Sequence, residues 1–244
     1  MLVGLSLVMA SACVFNNYLD RGLDRHMDRT RSRALVTGEV SGLAGVSFAV
    51  VLGLCGAGVL WALTNPLTLG IAAFGFLAYV VLYGFAKRHS VHGTVVGSLS
   101  GAVPPVVGYV AVTGQIDLTA WLLFGILTVW QMPHFYAIAM FRYQDYQAAG
   151  LPVLPVSRGI RETKVQMLAY IVAFIPMTLL LAYIGSAGVV YAVVMLVLGA
   201  WWVRLAVAGF GTADDTAWAR RVFKFSLLIL LVFSALIAAS SVLP

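Results

Sequence analysis

The sequence predicts an all-α membrane protein, a polytopic helical bundle with eight spanning segments in one transmembrane domain over residues 1–244. Three observations carry that reading. The composition is 61% hydrophobic and only 10% charged, with mean hydropathy +0.97, where a soluble domain carries roughly 25% charged residues. The apolar residues gather into runs near the roughly 20 residues that a helix needs to cross the hydrocarbon core. Long charged connections alternate with short, nearly uncharged ones, as expected for a chain that crosses repeatedly.

The runs lie at about 1–15, 43–62, 67–86, 94–112, 119–139, 165–184, 188–207 and 222–243. The first is apolar but lacks a basic leader, so it is not a cleavable signal, and it runs straight into a charged motif. It is also short. If the loop after it is cytoplasmic, Met1 lies outside, and the expectation is that a helix is missing upstream and the sequence begins inside a longer parent chain. The second and third runs are joined by Leu63 to Pro66, and the sixth and seventh by Gly185 to Ala187. Within the fourth, Val103-Pro104-Pro105 predicts a kink beside a cavity. Cys13 and Cys55 fall in apolar runs and are expected to be buried, which argues against a disulfide framework.

Charge assigns the topology. All 15 basic residues fall in or beside connections of one side, and of the 9 acidic residues only Asp117 falls on the other. The positive-inside rule makes the basic side cytoplasmic. The net charge of +6 follows from those loops and argues for no nucleic-acid partner.

Two polar clusters stand on that side. Asn16, Asp20, Asp24 and Asp28 are spaced four apart, which on a helix places them on one face. Stacked carboxylates repel, and a hard divalent cation such as Mg²⁺ would compensate, bridging one or two carboxylates to a substrate phosphate. The competing reading is a solvated face in which Arg21 pairs with Asp24 and Arg25 with Asp28. The second cluster runs from Trp130 to Val156. Pro133, Gln131 and His134 sit in an apolar helix, and Gln131, His134 and Arg142 are expected to face the bundle interior or a wet cavity, because ionisable groups in spanning segments are costly and by default functional. His134 also fits a structural histidine bonded across helices. Asp145 follows in a loop stiffened by Pro152 and Pro155, and alone it reads as a solvated carboxylate. Lys87 and Arg88 close the third run as topology anchors or as diphosphate ligands. His89 and His92 have no carboxylate nearby and make no strong metal site. The two clusters close the first and fifth runs on the same side, a weak internal repeat of the kind that places a site at its interface. Together these residues suggest a Mg²⁺-dependent enzyme that handles a lipid diphosphate, with basic side chains neutralising the leaving group.

The same residues resemble the protohaem IX farnesyltransferase (haem O synthase) family, within the intramembrane prenyltransferases. The superfamily motif N-x-x-x-D-x-x-x-D is matched by Asn16, Asp20 and Asp24. The branch pattern D-R-x-x-D-R-x-M-x-R-T is matched from Asp20 to Thr30, with Asp28 where Glu is frequent. P-H-F-x-A-x-A followed by D-Y-x-x-A-G-x-P-x-L-P-V is matched from Pro133 to Val156, and G-A-x-P-P-V-x-G-x-x-A-V-T-G from Gly101 to Gly114. The resemblance implies nine spanning helices around a cavity open toward lipid, of which eight are present, and a cell-membrane enzyme of bacteria. It implies farnesyl transfer from farnesyl diphosphate to a vinyl group of haem B with addition of water, giving haem O. It implies metal ligands Asn16, Asp20, Asp24 and Asp145, catalytic roles for Asp20, Asp24, Asp145 and His134, and a diphosphate clamp of Lys87, Arg88 and Arg25. His134 would orient or ligate haem, and a haem A synthase or terminal oxidase is an expected partner. Quinone-type members usually carry D-x-x-x-D in the second motif, whereas Asp145 is followed by Ala149, which favours haem. The alternatives are another intramembrane prenyltransferase, acting on a quinone precursor or a tetrapyrrole, and a non-catalytic haem or lipid transport or assembly subunit.

Overall fold

The computed structural model describes residues 1–240, and the predicted end of the last run, 241–243, lies outside them. Among the described residues, eight helices are long and apolar enough to span a membrane: α1 (Leu2–Asp24), α2 (Gly42–Leu63), α3 (Pro66–His89), α4 (Gly93–Thr113), α5 (Leu118–Phe141), α6 (Ile160–Tyr183), α7 (Val189–Gly211) and α8 (Asp215–Ala239). Short helices at Ala34–Thr37, Tyr143–Ala148 and Leu154–Arg158 lie in the charged connections, and no strand occurs among the described residues. The protein is an integral, multi-pass membrane protein.

The boundaries differ from the hydropathy runs wherever a polar segment is helical. α1 does not stop at residue 15 but continues through Asn16 to Asp24, so the first motif sits on a helix already as long as its neighbours. α8 begins at Asp215, ahead of residue 222, because the Asp214 carboxylate accepts from the Ala217 amide at 2.9 Å and caps the helix there. Hydropathy registers where the lipid is, and capping registers where the helix is. α4 breaks at Ala102 into Gly93–Gly101 and Val103–Thr113, with Pro104 and Pro105 opening the second piece, as the Pro-Pro pair predicts. α5 and α6 run on through Pro133 and Pro176. In α3 the segment Ala78–Tyr83 winds as a π-helix just before the turn that carries Lys87 and Arg88, a wider coil that recurs at functional sites.

The chain falls into two compact units, Met1–Ala120 with Gln144–Val153, and Trp121–Tyr143 with Leu154 onward. In the first unit α1 lies along α2, and α3 packs on α4. The α1–α2 contact depends on missing side chains: a Cβ at Gly56 would stand 2.8 Å from the Gly4 carbonyl oxygen and 2.8 Å from the Val8 amide nitrogen. Beside it the Ser11 hydroxyl donates to the Ala49 carbonyl at 2.6 Å. Small residues and an interhelical hydroxyl are what drives helices together when the solvent is itself apolar. Gly56→Val is expected to force the backbones apart at a cost of about 1–3 kcal/mol, read as a lower thermal midpoint of the detergent-purified protein. On the far side, the Tyr109 hydroxyl and then the Ala120 amide bond Asp117, at 2.6 and 3.1 Å, and hold its carboxyl below the usual carboxylate range.

The second unit is pinned by a buried ammonium. Lys164, 7% exposed, donates to the Gly209 carbonyl at 2.6 Å and forms an ion pair with Asp215 at 2.5 Å. Gly209 is required there, since a Cβ would fall 2.2 Å from the Trp218 ring. Lys164→Met strands the Gly209 carbonyl at the α7–α8 turn, and a destabilisation of about 1–3 kcal/mol is expected for that lost partner, with little added by Asp215, whose side chain is 39% exposed and can be solvated. The check is the thermal midpoint; enzymatic assays are not needed for it.

Cys13 and Cys55 are exposed, not buried as the sequence suggested. An apolar run locates the bilayer but does not distinguish a helix face that meets lipid from one that meets protein.

Candidate active site

The site grows from the last two turns of α1. Asn16, Asp20 and Asp24 follow at helical spacing, and Asp20 and Asp24 are 7% and 5% exposed. Two ionised carboxylates so nearly buried require partners, and three cations supply them. The Lys87 ammonium donates to Asn16 Oδ1 at 2.7 Å and to Asp20 Oδ2, bridging the amide and the carboxylate. Arg88 donates to the other Asp20 oxygen at 3.0 Å and to the Leu19 carbonyl at 2.7 Å. Arg33 donates to Asp24 Oδ2 at 2.7 Å. Lys87 also stands 5.0 Å from the centre of the Tyr83 ring, close enough for a cation–π contact. Two carboxylates against three cations leave this cluster with one positive charge to spare. An anion is therefore attracted to a place where oxygen ligands for a hard cation already stand.

The fourth member of the spacing does not join. α1 ends at Asp24, where the Met27 amide and the Thr30 hydroxyl both bond the Asp24 carbonyl, at 3.3 and 3.2 Å. Asp28 lies beyond that turn with its side chain 80% exposed, paired with Arg31 at 3.5 Å. The ion pairs of the solvated-face reading are likewise absent among the described residues: Arg21 bonds the Tyr18 carbonyl and covers its ring at 4.1 Å. Arg25, expected in the diphosphate clamp, is exposed just past the helix end.

Asp145 is half-buried at the start of the short helix Tyr143–Ala148, in the same unit as the α1 motif. No three of His, Cys, Asp and Glu gather as a ready metal cage among the described residues. His89 stacks on Phe85 at 4.4 Å and bonds its carbonyl. In the second unit, Gln131 and His134 are buried as expected, at 4% and 9% exposure. Arg142 lies exposed just past the end of α5. His134 stacks on Trp130 at 4.9 Å, meets Phe223 at 4.8 Å, and shares a 2.8 Å hydrogen bond with Ser226 Oγ.

The model of the UbiA prenyltransferase family matches residues 1–228. The chain belongs to the UbiA prenyltransferase family. It is 53% identical over 237 residues to protoheme IX farnesyltransferase 2 of Pseudomonas paraeruginosa (strain DSM 24068 / PA7), covering 97% of this chain and 80% of that protein. It is 48% identical over 244 residues to protoheme IX farnesyltransferase of Escherichia coli O1:K1 / APEC, covering 100% and 82%. Its fold matches the structure of a UbiA homolog from Archaeoglobus fulgidus bound to GPP and Mg²⁺, with TM-score 0.69, 14% identity, and 97% and 86% coverage of the two chains.

In this prenyltransferase, sequence reasoning missed Arg33, the partner of Asp24. It had counted only as one of the basic residues that set topology. It follows Asp24 by nine residues across a helix end, a spacing that no helical or strand period selects. Thr30 was visible as the last residue of a motif, with nothing to say that its hydroxyl ends α1.

Proposed function

We infer that this prenyltransferase moves a farnesyl group from farnesyl diphosphate to a vinyl group of haem B, with addition of water, giving haem O and diphosphate. The observation that carries this reading is the α1 cluster, in which oxygen ligands stand against an excess of basic side chains, in a chain 48% identical or more to two proteins named for this activity.

The donor set suits Mg²⁺, which is held by one or two carboxylates plus substrate phosphates rather than by a full protein cage. Asn16, Asp20 and Asp24 would hold it, with Asp145 as a further candidate from the second motif. When bound, it draws electron density from the diphosphate and makes that group a better leaving group. Lys87 and Arg88, which together neutralise Asp20 here while Lys87 also bonds the Asn16 amide, are the groups able to turn from carboxylate to phosphate oxygen, and Arg25 adds positive charge at the rim. The farnesyl C1–O bond breaks with its electron pair leaving on diphosphate. The vinyl π electrons then close the new C–C bond on the allylic cation, and the cation left beside the porphyrin takes up water and releases a proton. His134 orients the haem. The basic loops face the cytoplasm, and an oxidation of haem O by a haem A synthase, or insertion into a terminal oxidase, is the step that would consume the product.

Acceptor choice tests this reading. Membranes containing the chain, given farnesyl diphosphate and Mg²⁺ with haem B and 4-hydroxybenzoate together, are expected to yield haem O by mass and no prenylated benzoate. The opposite product would assign a quinone-type reaction, and neither product, without diphosphate release, would assign a non-catalytic role.

A further inference from the structure

We propose that Ser226 on α8 is a positioning residue that fixes His134 as the tautomer protonated at Nδ1, so that Nε2 presents its lone pair as a ligand to the haem iron. The proposal rests on the haem reading above, and both residues lie in the second unit.

The hydrogen bonds assign the tautomer. Ser226 Oγ lies 2.6 Å from the Phe223 carbonyl oxygen and 2.8 Å from His134 Nδ1. A hydroxyl has one proton to give. Two oxygens held 2.6 Å apart repel unless a proton lies between them, so the serine proton goes to the Phe223 carbonyl. Ser226 Oγ can then only accept from the imidazole, and the proton of that bond belongs to His134 Nδ1. In the neutral ring this leaves Nε2 unprotonated.

The remaining contacts hold the ring in that pose. Trp130, one turn before His134 on α5, donates its indole N–H to the Ser226 carbonyl at 2.9 Å. One residue of α8 thus takes hydrogen bonds from two successive turns of α5, through its backbone and through its side chain. The imidazole lies against Trp130 with 24° between the rings, against Phe223 with 34°, and edge-on to Phe135 at 5.3 Å. Nε2 has no hydrogen-bond partner among the described residues, and it is not sealed off as a buried orphan atom. A histidine bonded across helices for structure alone would spend its polar capacity on the protein. This one spends half of it, in the arrangement that metal-ligating histidines adopt, where a second group takes the other ring N–H and sets orientation and basicity.

The test compares wild type, His134→Ala, Ser226→Ala and Ser226→Thr in lipid nanodiscs. Nitrogen NMR of histidine-labelled protein, without any tetrapyrrole, reads the tautomer, with His134→Ala identifying the signal. Wild type and Ser226→Thr should show a protonated Nδ1 and a bare Nε2, and Ser226→Ala should shift toward the other tautomer. Titration with ferric haem B should show a histidine-ligated Soret spectrum in wild type and Ser226→Thr, lost in His134→Ala, with affinity lowered about 10–100-fold in Ser226→Ala. Metal-free protoporphyrin IX, which offers no iron to ligate, should bind wild type and Ser226→Ala alike. Equal weakening of both tetrapyrroles in Ser226→Ala, or a wild-type ring protonated at Nε2, would overturn the proposal and leave the haem reading intact. Wild-type protein that binds neither tetrapyrrole would overturn both.

Discussion

Asp20→Ala is expected to lower haem O formation by about 10³-fold or more and to destabilise the protein as well. Asp20 is where the site's charges meet: one carboxylate oxygen takes Lys87 and the other Arg88. Removing it deletes a proposed metal ligand and leaves Lys87, whose side chain is 11% exposed, with an uncharged amide as its remaining hydrogen-bond partner. Loss of a single preorganised electrostatic contact costs about 10²–10³ in rate, and a buried ion pair broken from one side costs about 3–5 kcal/mol in stability. Asp24→Ala should match it in lost activity and not in stability, because the released cation, Arg33, has a side chain 37% exposed and water can solvate it. Rates by mass spectrometry and thermal midpoints of both purified variants separate the two effects. Equal midpoints would mean that Lys87 is better solvated than its contacts indicate.

Lys87→Met is the second large effect, about 10²–10³-fold in rate, and it should exceed Arg88→Met clearly. Both residues bond Asp20, but the Lys87 side chain is 11% exposed and that of Arg88 37%. A charge with less water around it interacts more strongly with a developing anion. For the half-exposed guanidinium, a contribution of about 1 kcal/mol or less corresponds to a rate loss under about tenfold. Lys87→Arg separates charge from shape: an ammonium bridging an amide and a carboxylate is a point contact, and the planar guanidinium should restore only part of the activity. Kinetics at saturating and limiting farnesyl diphosphate check the order. A larger loss for Arg88→Met would place the principal clamp at the rim.

Much of this was legible in the sequence for a physical reason. Crossing a bilayer demands about 20 apolar residues per helix, and the basic residues mark one side, so the spans and their alternation show through without an alignment. The i, i+4 spacing of Asn16, Asp20 and Asp24 carries the face they share. What failed depends on where elements stop. The spacing extends to Asp28, but Thr30 and Met27 close α1 at Asp24, and a cap formed from beyond the helix leaves no period to read. Cys13 and Cys55 failed differently. A helix that is apolar all round gives no sign of which side meets protein, whereas in water the same residues would have been buried by the solvent's preference. Arg33 and Ser226 escaped because each acts across the fold, over nine residues to Asp24 and ninety-two to His134. Lys87, seventy-one residues from Asn16, escaped only halfway: its type suggested a phosphate ligand, and its place gave an equally good topology anchor. Its contact with two members of the α1 motif is the observation that supports the phosphate-ligand reading.

The most direct test of the account is a haem O assay in membranes holding the wild-type chain or its Asp24→Ala variant, supplied with haem B and farnesyl diphosphate, with Mg²⁺ present or chelated. The account predicts haem O only in the wild type and only with Mg²⁺. Haem O formed at the wild-type rate by Asp24→Ala, or formed undiminished after chelation, would contradict it.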